Sequence, residues 1–429
     1  MKRRDFIKLF GSAGLVLAVP ALSWREARAS AQPYTGLALI TVFAPGGWDH
    51  SSFCDPRQNP AVNHWANTAE AGSAGNLRYA PMAENAEFFA KYYPRMLVIN
   101  GIDLQTNGHD AASMTQNTGS LSGLPMTNAL YAAIRGNGLP MPWLMDGGES
   151  ANQGIQPFTR VPSDAQMRQL ANPNLRDATR IFFRQSDLGI VDRYRRERLD
   201  LLRSAPAALP YTLRKMNELE DARTSRGLMD ELAAALPATI DTLDLKGGSD
   251  AKISTVHRLL VAIKAGICVT ASLSTRSGFD THSTHDTNHA AALTELTRTV
   301  DYLWTKAEEM GIADRLVVHI TSDVGRTPHY NANDGKDHWS LGSSVVMMKN
   351  QNWTNRVVGL SGPEHQKVNI HPDTLQEDAT GVRLQTAHVH RALRTILGIA
   401  TDPLALKFDF KVPEIGGFFD ADQGSPVPV

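Results

Sequence analysis

Five stretches of this chain are apolar almost without interruption: residues 36–44, 95–103, 267–273, 315–321 and 343–348. Runs without an alternating polar partner predict strands buried on both faces, the habit of a parallel sheet. The first run stops at Pro45-Gly46-Gly47, a turn signal. Elsewhere the period changes to that of a helix. Residues 289–311 place Leu293, Leu296, Val300 and Leu303 on one face, and shorter helices are predicted over 111–117, ending near Gly119, over 252–266 and over 386–397. Residues 163–236 are charged, rich in alanine and leucine, and helical in period. They read as a helical insertion on one side of the sheet, with 192–198 as a solvated helix face. Strands alternating with helices predict an α/β fold, a parallel doubly wound sheet with helices on both faces. No internal repeat, low-complexity tract or inter-domain linker breaks the pattern.

The first residues follow a different logic. Arg3 and Arg4 are followed by the apolar pair Phe6-Ile7 and by Lys8, the twin-arginine pattern. The apolar run 9–22 is diluted by Gly11, Ser12, Ala13 and Gly14 and is too short to span a bilayer comfortably. Small-residue cleavage signals follow at Ala27-Arg28-Ala29 and Ala29-Ser30-Ala31. Residues 1–31 are therefore expected to be a twin-arginine signal peptide and 32–429 the folded domain. The twin-arginine translocase is the expected export partner, no stable membrane span should remain after cleavage, and the folded part is expected in the periplasm or secreted. That route carries folded cargo and suits a protein that takes up a metal before export.

Composition narrows the classes. Over 429 residues, 42% are apolar and 20% charged, a globular balance with ample core. The formal net charge of −1 offers no whole-molecule field for nucleic acid or an anionic membrane. Two cysteines, Cys54 and Cys268, are either a disulfide of an oxidising compartment or two separate buried thiols. Fourteen histidines are more than a purely structural chain needs, and many lie near aspartates.

In an open α/β sheet the site lies outside the carboxyl ends of the strands. The predicted strands are followed there by Gly46-Gly47-Trp48-Asp49-His50, by Asn107-Gly108-His109-Asp110, by Phe279-Asp280-Thr281-His282 with His285 and His289, and by Ser322-Asp323-Val324-Gly325-Arg326-Thr327. A fifth loop, Asp334-Gly335-Lys336-Asp337-His338, precedes the last predicted strand. Carboxylates mixed with imidazoles are the ligand set of a hydrolytic divalent-metal site, and two such ions about 4 Å apart could clamp a phosphoryl or sulfuryl group. Each residue alone has an ordinary alternative, since aspartates cap helices and single histidines are commonly just hydrogen-bonded. Arg326 is either a bidentate fork for an anionic substrate or a surface ion-pair partner. His109 precedes a short helix, so an anion held there would meet free backbone N–H groups, or it is an N-terminal helix residue with no chemistry. His50, His285, His289, Asp334 and Asp337 are lesser candidates, and His289 could simply face solvent. No Gly-x-Ser-x-Gly elbow, Gly-x-Gly-x-x-Gly or phosphate-loop motif occurs, which argues against a serine triad and a nucleotide cofactor.

These residues, with the twin-arginine start, Thr118-Gly119 and Asp337-His338, resemble in order the exported family called domain of unknown function 1501, which in turn resembles the alkaline phosphatase and sulfatase superfamily. The resemblance implies a mostly parallel central sheet sandwiched by helices and a site for one or two divalent ions (Zn, Mn or Ca). It implies metal ligands at Asp49, Asp280, His282, Asp323 and His338, and it puts His109 at the nucleophile position. His109 stands where a serine, threonine or modified cysteine would attack, so it is either a phosphohistidine or a further ligand with water attacking directly. Val324 stands where the superfamily often has a histidine ligand, and Asp280 and His282 are closer together than in the phosphatase pattern. The expected activity is metal-dependent hydrolysis of a small anionic phosphate or sulfate ester. The alternative is an exported binding or assembly protein that kept the fold and lost the chemistry.

Overall fold

The computed structural model describes residues 32–174, 176, 180–204, 216, 226–242, 250–275 and 278–419. The predicted export segment 1–31 and Ser277 lie outside these residues. Eight strands form one sheet: β1 (Ala38–Ala44), β2 (Met96–Asp103), β3 (Trp143–Asp146), β4 (Thr159–Arg160), β5 (Thr270–Ser274), β6 (Leu316–Ser322), β7 (Leu341–Met348) and β8 (Arg356–Val358), in the spatial order β8-β2-β7-β6-β1-β5-β3-β4. The helices used below are α1 (Asn85–Tyr92), α2 (His109–Thr118), α3 (Thr127–Arg135), α4 (Asp164–Ala171), α5 (Gln185–Arg203), α6 (Arg226–Ala235), α7 (Asp250–Lys264), α8 (His285–Glu309) and α9 (Thr386–Ile396).

The five apolar runs become β1, β2, β5, β6 and β7. Strand β1 explains why they do not alternate. Ala38, Ile40 and Val42 face a core built with α1, α7 and α8, while Leu39 faces a second core built with α3 and α9. Both faces are covered, so neither can be polar. The predicted stripe Leu293, Leu296, Val300 and Leu303 is fully buried on the first face.

The sheet is mixed rather than wholly parallel. β7 runs antiparallel to both β6 and β2, while every other pairing in the sheet is parallel. A parallel return needs a long crossover, usually a helix. Between Ser322 and Leu341 there is no helix, only the ribbon Gly325–Arg326 paired with His338–Trp339, so the chain simply reverses. The predicted helix at 289 begins four residues earlier, at His285. His289, for which a solvent-facing role was open, is fully buried. Helices α4, α5 and α6 form the described part of the 163–236 segment, and Arg193 to Arg198 are exposed as expected. Cys54 and Cys268 are separate buried thiols, each pushed up to about 12 by burial.

Candidate metal centre

The loops leaving β1, β2, β5 and β6 at their carboxyl ends, and the loop entering β7, share one edge of the sheet. Their close approach depends on glycine. Gly46 and Gly47 have φ of +106° and +80°, and a Cβ on Gly46 would lie 2.7 Å from the Asp280 backbone nitrogen. A Cβ on Gly47 would lie 2.4 Å from Val324 Cγ2. A side chain at either position would hold the β1, β5 and β6 loops apart.

Four side chains, from two of these loops and from α2, meet around Asp280 Oδ1. His109 Nε2 stands 3.5 Å from Asp280 Oδ1, His282 Nε2 3.0 Å and His338 Nε2 3.3 Å. His282 Nε2 and His338 Nε2 are 3.1 Å apart. The ligand atoms of His109, Asp280 and His338 all lie within 4.8 Å of one another.

The far side of each imidazole sets its tautomer. His109 Nδ1 is 2.8 Å from Asp323 Oδ2, His282 Nδ1 is 2.8 Å from Asp337 Oδ1, and His338 Nδ1 is 3.0 Å from the Asn107 carbonyl. Each of these partners accepts only, so each Nδ1 carries the proton and each Nε2 presents a lone pair inward. His109 Nε2 is buried and has no hydrogen-bond partner. The Arg326 guanidinium meets Asp280 Oδ1 from one side at 2.7 Å, and inward lone pairs on the imidazole side form a donor set that attracts a further cation. Tetrahedral bonds of about 2.0–2.1 Å would put donor atoms about 3.3 Å apart, close to the 3.0–3.5 Å between each Nε2 and Asp280 Oδ1. The donor set therefore fits a divalent ion.

The electrostatics point the same way. Burial alone would raise the Asp280 carboxyl, but Arg326, His338 and His109 outweigh it and hold it down at about 2. Desolvation, then the charges of His109 and Arg326, lower His338 against the pull of Asp280, which favours its neutral, coordinating form. The Asp280 side chain is 43% exposed, so the convergence point opens to solvent.

The other expected ligands sit one step back. Asp323 is buried. It accepts from the backbone nitrogens of Gly46 at 3.1 Å and Val324 at 2.8 Å as well as facing His109, so it orients a ligand rather than entering the cluster. Asp49 lies in a separate, fully buried pocket. Its Oδ2 meets Lys336 Nζ at 2.6 Å, His285 Nε2 at 3.1 Å and the Ser52 hydroxyl at 3.0 Å, and its Oδ1 takes the amide and hydroxyl of Ser51. Burial would raise the Asp49 carboxyl, yet Lys336 and then His285 hold it well below the usual range. Arg326 is likewise fully buried. Its guanidinium donates to the carbonyls of Gly46, Gly47 and Lys336 and to Asp280 Oδ1 at 2.7 Å. It ties three loops together instead of presenting a fork to solvent.

Lys336 was not singled out by its sequence neighbourhood, because the partner that buries it is Asp49, far away along the chain. His365 was missed for the same reason. Its ring lies 4.1 Å from that of His50, and all four ring nitrogens of this pair are buried without hydrogen-bond partners. They border the Asp49 carboxylate, whose oxygens are already engaged. His285 Nδ1 meets Thr281 Oγ1 at 2.6 Å, linking the Asp49–Lys336 pair to the turn that carries Asp280 and His282. His289 Nε2 accepts from the Asp49 amide at 3.0 Å. Asp334 makes its backbone contacts to His285 and Asn331 at the rim.

Residues 212–348 match the family model described as protein of unknown function (DUF1501). That span contains Asp280, His282, Asp323, Arg326 and His338. No curated protein matches the chain. Its structural neighbours are sulfatases and alkaline phosphatase-like enzymes. The PsFucS1 sulfatase from Pseudoalteromonas sp. is 10% identical, with 91% of this chain and 73% of that chain covered at a TM-score of 0.41. The lipoteichoic acid synthase LtaP from Listeria monocytogenes is 9% identical, with 93% and 78% covered at 0.37. The alkaline phosphatase from the Antarctic bacterium TAB5 is 8% identical, with 74% and 92% covered at 0.31.

Proposed function

We propose that this protein is an exported, single-metal hydrolase of phosphate or sulfate esters. The observation that carries the proposal is the convergence of three inward Nε2 atoms on Asp280 Oδ1, each imidazole fixed from behind by an acceptor. His109, Asp280, His282 and His338 would hold the ion. Three imidazoles and one carboxylate suit Zn²⁺ or another first-row transition ion better than Ca²⁺, which prefers an all-oxygen shell. With a fifth position open beyond these donors, such an ion would polarise an ester oxygen and lower the pKa of a water held there.

The protein's own groups do the rest. Asp323 and Asp337 take the Nδ1 sides of His109 and His282 and so aim both Nε2 atoms at Asp280. Arg326 anchors Asp280. His109 Nδ1 is held by Asp323 while Nε2, without a hydrogen-bond partner, faces Asp280, which supports the ligand role over attack on the substrate. The start of α2 has no side-chain cap, so its first N–H groups and the helix dipole favour an anion beside His109. Work outside the cytoplasm is proposed from residues 1–31. Among the described residues no helix is long and apolar enough to cross a membrane.

A second reading, an exported metal-binding protein without turnover, is favoured by one feature: Arg326 and Lys336 are both spent on protein groups, leaving neither for a substrate anion. Aryl phosphate and aryl sulfate assays with Zn²⁺ or Mn²⁺ separate the two. The hydrolase reading expects turnover that Asp280→Asn abolishes. Metal binding without turnover on either ester class would favour the second reading.

A further inference from the structure

Outside the loops around Asp280, α5 and the segment before it expose a series of large apolar side chains. Ile181, Phe182, Phe183, Ile190, Tyr194 and Leu201 are 54–70% exposed. This is not a loosely held end. Asn174 pins the preceding segment through its side chain to both the amide and the carbonyl of Phe183, at 2.9 and 2.7 Å, and its carbonyl accepts from the Phe182 amide at 2.9 Å. At about 100° per residue, Ile190, Tyr194 and Leu201 fall within about 40° of one another. Leu199, the buried residue of α5, lies on the opposite side of the helix. The seam therefore lies opposite the helix's buried side.

Its flanks are basic. Residues 180–203 hold seven arginines against four acids, in a chain whose formal net charge is −1. Arg193 and Arg198 flank the seam and Glu197 falls at its edge, so the positive surplus is local but carries one acid within the apolar face. Exposed aromatics and aliphatics on one face with arginines alongside make the pattern of a helix that lies in a membrane interface.

We propose that residues 180–203 dock this protein on a membrane surface carrying anionic phospholipid headgroups. Phe182, Phe183, Ile190, Tyr194 and Leu201 enter the headgroup boundary, and arginines such as Arg193 and Arg198 face the phosphates. The helix lies along the surface and does not span it. Attraction to lipid is confined to this segment, so the metal-ligand loops are not part of the contact.

The test uses purified protein without residues 1–31, as export would leave it, spun with vesicles of phosphatidylcholine alone or mixed with phosphatidylglycerol. The protein should sediment with the mixed vesicles and not with the neutral ones, and about 0.5 M salt should weaken the binding. The triple variant Ile190→Glu, Tyr194→Glu, Leu201→Glu should bind about tenfold more weakly or worse while melting at the wild-type temperature, because all three side chains are exposed. Leu406→Glu, also exposed but outside the segment, should bind like wild type. Absence of sedimentation, or equal sedimentation of the triple variant, overturns the proposal. So does a dimer by light scattering that the triple variant abolishes with no vesicle binding, since the seam would then hold a second copy.

Discussion

At the residue scale, the roles of the acidic groups are separable by experiment. Asp49 and Lys336 form an ion pair with both side chains fully buried. Removing one partner strands the other charge, so Lys336→Met should cost about 3–5 kcal/mol in chemical denaturation. The double change Asp49→Asn with Lys336→Met should cost clearly less than the sum of the two single changes. If the costs add, the two side chains do not act as a pair. Asp323 predicts a different signature. Asp323→Asn keeps the shape but no longer holds the proton on His109 Nδ1, so affinity for Zn²⁺ should fall roughly 10–100-fold. An unchanged affinity would mean that His109 is not oriented from Asp323.

Candidate residues were legible because each stands in a polar loop after an apolar run. Their ranks were not legible. Whether an aspartate meets an imidazole from behind, as Asp323 meets His109, or a buried ammonium, as Asp49 meets Lys336, depends on partners more than 200 positions away.

At the element scale, the turn after β1 is the most exacting joint. Gly47→Ala would place a methyl 2.9 Å from the Val324 carbonyl at a φ of +80°. A loss of about 2 kcal/mol or more is expected, together with weaker metal binding, because the same turn lies against the loops of Asp280 and Asp323. Thermal melts and metal titration of the same variant check both parts. An alanine variant that melts and binds like wild type would show that the loops have room to spare.

The strands β1, β2, β5, β6 and β7 and the helix α8 were visible as runs and stripes. The direction of β7 was not, since an apolar run reads the same in either sense and only the missing crossover helix between Ser322 and Leu341 reverses it. Strands β3, β4 and β8 escaped notice because two to four residues form no pattern.

At the scale of the whole molecule, buried histidines set the acid limit. Burial lowers His319 to about 3 and His388 and His390 to about 4, from an ordinary value of 6.5. The unfolded chain therefore binds more protons below pH 6.5, and stability falls as pH drops from there towards the folded values. A displacement from 6.5 to about 4 corresponds to about 3 kcal/mol for one such group. The melting temperature should fall steeply between pH 6.5 and 4, with the loss beginning well above the carboxylate range. A melting temperature flat across that interval would contradict the buried, neutral state of these rings.

The central claim is that His109, Asp280, His282 and His338 hold one divalent ion. Calorimetric titration of the demetallated protein with Zn²⁺ tests it most directly. The account predicts a single site per chain that His338→Ala and Asp280→Asn each abolish, whereas Asp49→Asn keeps the one-to-one stoichiometry. Absence of binding, or a site that survives loss of Asp280 and His338 but not of Asp49, would contradict it.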